Sequence, residues 1–203
     1  MAKEKGKLAR EDWIIAARRV FVVSGIDDVK IDRLAKEMKV TRGSFYWHFK
    51  NLEDLQAAVL EDWQKQNLVE MDALRNKWRE SGATIHDVGV AWSDEGSEFP
   101  TFSMAIRIWA RKNQMVASAV RSIDHAWLKL LEEVFRPEGF NDDECHVRAR
   151  ILYYHRIGYW ALPLNESQSE LVRLGPSYFK ALMGRETRRD MSTWMEEHGQ
   201  PED

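Results

Sequence analysis

Residues 31–49 read IDRLAKEMKVTRGSFYWHF, and the reading of this stretch decides the fold. Ile31, Leu34, Ala35 and Met38 stand at i, i+3, i+4 and i+7, which lays one apolar stripe along two turns of helix. A short turn through Lys39 and Val40 follows. Thr41, whose hydroxyl can accept from a free helix N–H, is placed to cap a further short helix carrying RGSFYWHF. Four aromatic residues in five positions cannot all face one core. Phe45 and Phe49 fall one turn apart on one side, while Gly43 and Trp47 fall on nearly the opposite side with Ser44 beside them. Tyr46 and His48 flank the two faces, and Arg42 stands at the N-terminal end. The spacing therefore predicts that the phenylalanines pack and that Trp47, with much of Tyr46 and His48, is exposed. Two short helices joined by a tight turn, the second presenting such a face, have the form of a helix-turn-helix. Its second helix enters the major groove of DNA and reaches base edges and phosphates.

Working outward, Trp13, Ala16, Ala17, Val20 and Phe21 fall at helical spacing, and Gly25 is expected to end that helix in a left-handed conformation. After Lys50 and Asn51 a long helix is expected, with Leu52, Leu55 and Val59 inward and Glu53 and Asp54 in its first turn, where the dipole favours them. Its pattern runs on through Trp63, Met71 and Trp78 to Ser81-Gly82. Further helices are predicted over 84–94, 101–112, 114–135, 142–162 and 167–183. The loop EGSEFP follows the first of these, and Arg136-Pro137-Glu138-Gly139 stops the third. Gly175-Pro176 is expected to interrupt the last one. A piece around Met191, Trp194 and Met195 reads either as helix or as a frayed end.

With 5 prolines, 11 glycines and no alternating Val/Ile/Thr runs, the chain reads as all-α. The expected plan is a three-helix N-terminal module over 7–67 and a helical body over 68–203, about nine to ten helices in total. Its 203 residues, 44% hydrophobic, suffice for a substantial core. The single Cys145 allows no intrachain disulfide, and neither a signal-type leader nor a membrane-length apolar run is evident, so a cytoplasmic protein is expected. Charge is uneven. Residues 1–50 hold 12 Lys and Arg against 7 Asp and Glu, whereas the remainder holds 18 against 26. A basic N-terminal quarter on an acidic body points to a polyanion bound at one end.

At this point the residues resemble a known family. IDRLAKEMKVTRGSFYWHFKNLEDL, preceded by AARRVFVVSGIDDVK, is similar to the DNA-binding signature of the tetracycline-repressor (TetR) family of bacterial transcription regulators. Leu34-Ala35, Val40, Gly43, Tyr46, His48-Phe49 and Leu55 carry the resemblance, which covers about residues 10–65. The body shares only its helix count and the fragment RIWAR at 107–111. The resemblance implies base and nearby phosphate contacts for Arg42, Gly43 and Ser44. It implies mainly phosphate and sugar contacts for Tyr46, Trp47 and His48, with Lys30, Arg33, Thr41 and Lys50 completing the DNA-binding set. Arginine can pair bidentately with guanine, and hydroxyl and imidazole N–H groups bind phosphate.

Two positions depart from the family pattern. Lys39 stands where the turn usually holds glycine, and Leu52 stands where a lysine usually opens the next helix, leaving Lys50 and Asn51 as nearby replacements. The resemblance further implies a homodimer on a palindromic operator and a small effector bound in the body. The expected interface lies on the last two long helices, at Ile151, Tyr154, Gly158, Leu171, Leu174 and Tyr178. Trp92, Phe102, Trp109, Trp127 and Tyr153 are the candidate walls of a pocket for an apolar or aromatic ligand. No cofactor or metal site is expected: His146 and His155 are nine apart, and GxSxG, HExxH, P-loop and CxxC patterns are lacking. The reading is a repressor, not an enzyme. The alternative is a helical ligand-binding protein or enzyme with a degenerate DNA-binding module.

Overall fold

In the computed structural model, residues 8–82, 84–92, 98–162 and 167–184 are described; the expected piece around Met191, Trp194 and Met195 lies outside them. Among the described residues there are nine α-helices and no strand. They are α1 (Arg10–Ser24), α2 (Ile31–Glu37), α3 (Arg42–Tyr46), α4 (Leu52–Ser81), α5 (Ile85–Trp92), α6 (Phe99–Ala110), α7 (Gln114–Phe135), α8 (Asp142–Ala161) and α9 (Gln168–Met183). None of them is long and apolar enough to cross a membrane. The helices group into two compact units. One comprises Met1–Asn76 and Ser93–Ala126, and the other Lys77–Trp92 and Trp127–Asp203.

The first unit is built on aromatic side chains. Trp13 of α1 is fully buried and meets Phe45 of α3 edge-on, with ring centroids 5.3 Å apart. Phe45 in turn stacks on Phe49 at 5.4 Å, and the Arg10 guanidinium covers the Phe49 ring at 4.7 Å. Phe21, further along α1, packs edge-to-face on Phe102 (6.3 Å) and Trp109 (5.7 Å) of α6. Trp63 of α4 is buried and donates from Nε1 to Ser103 Oγ at 3.2 Å, so the large ring enters the core with its one polar atom satisfied. Arg18 joins the same three helices on their outer side, with Nη1 3.4 Å from Asp62 of α4 and Nη2 3.7 Å from Glu98 just before α6. An open cavity of about 190 Å³ lies there, lined by Arg18, Gln66, Glu98, Phe99 and Phe102.

In the second unit, Val88, Leu130, Leu131, Val134, Phe135, Cys145, Ala149 and Tyr153 are buried. Asn141 opens α8 with a reciprocal cap: its side chain accepts from Glu144 N and its backbone N–H donates to Glu144 Oε2, both at 2.9 Å. Burial pushes the Cys145 thiol above its ordinary range, as expected of a packed cysteine and not of a nucleophile. Arg156 is nearly buried, its guanidinium lying over the faces of Trp92 (4.2 Å), Trp160 (4.4 Å) and Trp127 (5.0 Å). Three indoles thus replace part of the hydration a buried cation gives up.

Four local expectations need correction. Gly25 has the positive φ expected of a helix-stopping glycine (86°), but its ψ of 168° is extended, because the chain must turn straight into the 3-10 turn Ile26–Asp28. The third helix ends at Tyr46 and not at Phe49. His48 and Phe49 both donate to Phe45 O (2.9 and 3.1 Å), so the chain closes in a tightened turn that keeps the helical directions of its side chains. Thr41 occupies the N-cap position in extended conformation, yet its side chain makes no capping bond. Finally, α9 runs unbroken through Pro176. The preceding residue is Gly175, which has no Cβ to clash with the proline ring, so the helix continues one hydrogen bond short.

Candidate nucleic-acid interface

The motif is held from beneath and open above. Leu34 and Ala35 of α2 are buried, as are Phe45 and Phe49, the last two against Trp13 and Arg10 of α1. The connecting turn has Met38 donating to Leu34 O at 2.9 Å and Val40 donating to Ala35 O at 2.9 Å, with Lys39 at φ 57° between them. Lys39 is the one non-glycine residue at positive φ among the described residues. A side chain there costs about 1–2 kcal/mol relative to the right-handed region, partly offset by the lower unfolded-state entropy of lysine compared with glycine. Lys39→Gly should therefore stabilise the protein by roughly 0.5–1 kcal/mol, read as a higher urea midpoint at unchanged slope.

Tyr46 is 53% and Trp47 81% exposed, and Arg42 and Gly43 are also on the surface. Ser44 and His48 are half-buried at the edge of this face, and Thr41, Lys30 and Lys50 are exposed around it. Gly43 leaves open space: a Cβ built there would have Thr41 Oγ1, at 3.6 Å, as its one neighbour within 4 Å. The glycine is thus not required by packing inside the chain, and a close approach to its backbone by something outside accounts for it better.

The charges are not all free. Arg33 lies between Glu37 (Nε to Oε1, 3.1 Å) and Asp28 (3.8 Å), and Arg42 Nε is 3.1 Å from Asp32 Oδ1. Lys30, Lys36, Lys39 and Lys50 are exposed, and no carboxylate among the described residues is recorded as their ion-pair partner. At the start of α4, Asn51 Oδ1 accepts from Asp54 N at 2.8 Å, and Lys50 N donates to Asp54 Oδ2 at 2.9 Å. Asn51 is therefore committed to capping the helix. Of the two residues expected to stand in for a lysine at position 52, only Lys50 presents an uncommitted cation; Leu52 itself is half-buried.

Comparison with known proteins agrees with this geometry. Residues 14–59 match the family model described as bacterial regulatory proteins, tetR family. Over these residues the chain is similar to the tetR family. A segment of 68 residues is 38% identical to the uncharacterized HTH-type transcriptional regulator TtgW of Pseudomonas putida, covering 34% of this chain and 49% of that protein. Another, of 63 residues, is 40% identical to the HTH-type transcriptional regulator SrpR of Pseudomonas putida, covering 31% and 29%. The matched segments thus span less than half the length of these curated relatives. Over most of the chain the likeness is one of fold. A transcriptional regulator from Rhodococcus sp. Rha1 aligns with a TM-score of 0.61 at 17% identity, covering 87% of this chain and 92% of that one. A regulator of the TetR/AcrR family from Thermobifida fusca gives 0.53 at 16%, covering 89% and 98%.

Outside the tetR-type module, the aromatic residues expected to line one pocket divide between the two units. Phe102 and Trp109 belong to the first, where both pack on Phe21. Trp92, Trp127 and Tyr153 belong to the second, where Trp92 and Trp127 meet at 5.8 Å and Tyr153 is buried. Of the residues expected at an interface, Ile151 (55%), Tyr154 (57%) and Tyr178 (45%) are exposed, and Gly158 and Leu174 are half-buried. The Leu171 side chain lies outside what is described. The rings of Tyr178 of α9 and His155 of α8 lie 4.8 Å apart, tilted by 42°, where these two helices meet. The sequence reading missed Asp32 and Arg18. Their partners lie on other helices, and no local spacing signals such a pair.

Proposed function

We propose that this chain is a sequence-specific DNA-binding transcriptional regulator, a repressor that binds a palindromic operator as a homodimer and is released by a small apolar or aromatic effector. The observation that carries the reading is the surface of α3: Arg42, Gly43, Tyr46 and Trp47 face solvent while Phe45 and Phe49 hold the helix down. Large exposed aromatics beside unpaired lysines are poorly explained by folding alone, and they suit a groove whose walls are sugars and phosphates. The DNA-binding set is Lys30, Arg33, Thr41, Arg42, Gly43, Ser44, Tyr46, Trp47, His48 and Lys50, within the module 7–67. One short helix reads too few base pairs to be specific, so two-fold pairing of copies is the physical route to specificity. The exposed row Val147, Ile151, Tyr154 on α8, with Tyr178 on α9, supports that surface as the interface.

Release is a population shift. An effector lowers operator affinity tenfold for each ~1.4 kcal/mol by which it prefers the conformation whose recognition helices no longer match successive major grooves. The reading is tested by titrating salt against binding to the DNA that flanks the protein's own gene. With about 6–10 phosphates contacted, affinity should fall roughly 10³- to 10⁵-fold between 50 and 200 mM salt, and unrelated duplexes should bind more weakly throughout. Binding without salt dependence or sequence preference would overturn it in favour of a helical ligand-binding protein with a degenerate module.

A further inference from the structure

We propose that Asp32 is a positioning residue for base recognition by Arg42, and so a determinant of operator specificity; this rests on the DNA-binding reading above. Arg42 is the first residue of α3, the end of the second helix that comes closest to base edges, and Asp32 is the second residue of α2. Their side chains meet across the motif, Nε to Oδ1 at 3.1 Å.

Stability does not explain the pair. The two side chains are 59% and 71% exposed, and ion pairs so open to water contribute little to folding. Asp32 does suit the dipole of α2 as an acid in its first turn. That role, however, needs no partner on another helix.

The chemistry of the guanidinium supplies the reason. It presents five N–H donors in a rigid planar fork, and Asp32 engages it at Nε, on one side of the fork. The two terminal nitrogens carry the remaining N–H groups, and a pair of such donors matches O6 and N7 of one guanine. A free arginine must lose side-chain freedom to make that contact, whereas one already held by a carboxylate loses less.

Charge works in the same direction. The carboxylate offsets the attraction of Arg42 for any nearby phosphate and leaves the directional hydrogen bonds. Arg42 thereby becomes a reader of sequence, while Lys30, Lys36, Lys39 and Lys50 supply the attraction that is blind to sequence.

The test uses the full chain. Wild-type protein first selects its preferred duplex from a randomised pool. Affinities are then measured for that duplex, for each single-base-pair variant and for a scrambled duplex, with circular dichroism and melting curves confirming the fold of every mutant. Asp32→Ala should bind the scrambled duplex at least as tightly as wild type while losing roughly tenfold discrimination at one base pair. Arg42→Ala should lose discrimination at that same base pair, and the double mutant should lose no more. Asp32→Glu, which keeps a carboxylate to pair with Arg42, should restore most of the discrimination. Unchanged discrimination in Asp32→Ala, or a loss that simply adds to that of Arg42→Ala, would overturn the proposal while leaving the regulator reading intact. A wild-type chain that selects no duplex would overturn that reading, and the proposal with it.

Discussion

Phe45→Ala should unfold the N-terminal module. The ring is fully buried and touches Trp13 of α1, Phe49 and Tyr46, so its removal opens a cavity where α1 and α3 join. Truncating a buried phenylalanine costs about 3–5 kcal/mol, against a total stability of about 5–15 kcal/mol for a typical domain. The loss falls on a short helix that few other contacts retain: α3 is five residues long, and Phe45 is its one buried side chain. Urea denaturation followed by circular dichroism should show a midpoint lowered by the equivalent of at least ~3 kcal/mol, with DNA binding lost in parallel. A shift below about 1 kcal/mol would mean that α3 is held by something other than its phenylalanines.

Trp47→Ala should do the reverse. At 81% exposure the indole contributes little to the core, so melting should move by less than about 0.5 kcal/mol, the usual range for a surface change. On the proposed reading, its indole would lie against the DNA backbone and contact a phosphate and a sugar. A hydrogen bond to a charged group contributes about 1.5–3 kcal/mol, so affinity per half-site should fall on the order of tenfold or more. In the proposed dimer the loss would be suffered twice. Equal destabilisation by Phe45→Ala and Trp47→Ala in the same melts would show that the assignment of faces is wrong.

The contrast between these two residues was readable from sequence, because a 3.6-residue period sorts neighbours onto opposite faces before any partner is known. The same period placed Leu55, Val59, Trp63, Met71 and Trp78 along α4, and all five are buried. What failed was finer. Thr41 has the residue type of a cap and stands at the cap position without using its hydroxyl, while Asn51, expected to stand in for a lysine, is the residue that caps. Composition tells which side chains can cap; the local dihedral angles decide which ones do. Pro176 does not end the helix: α9 continues through it, and the preceding Gly175 has no Cβ to be driven out of the helical region by the proline ring. Among the aromatic residues of the body, Phe102 meets Phe21 in the first unit and Trp92 meets Trp127 in the second. Asp32 and Arg42 lie too far apart along the chain for any helical spacing to link them.

Phe21 sets an order of events during synthesis. As the chain emerges from its N-terminus, Trp13 can find Phe45 early, since both belong to the first fifty residues. Phe21 meets its two ring partners only after Phe102 and Trp109 have been made and α6 has returned to α1. Long-range contacts of this kind form late, because the intervening chain must first lose the entropy of closing the loop. The nascent protein therefore carries the motif's aromatic core before it can hide the other end of α1. That interval exposes Phe21 to other unfinished chains, and a holding chaperone would act most usefully there.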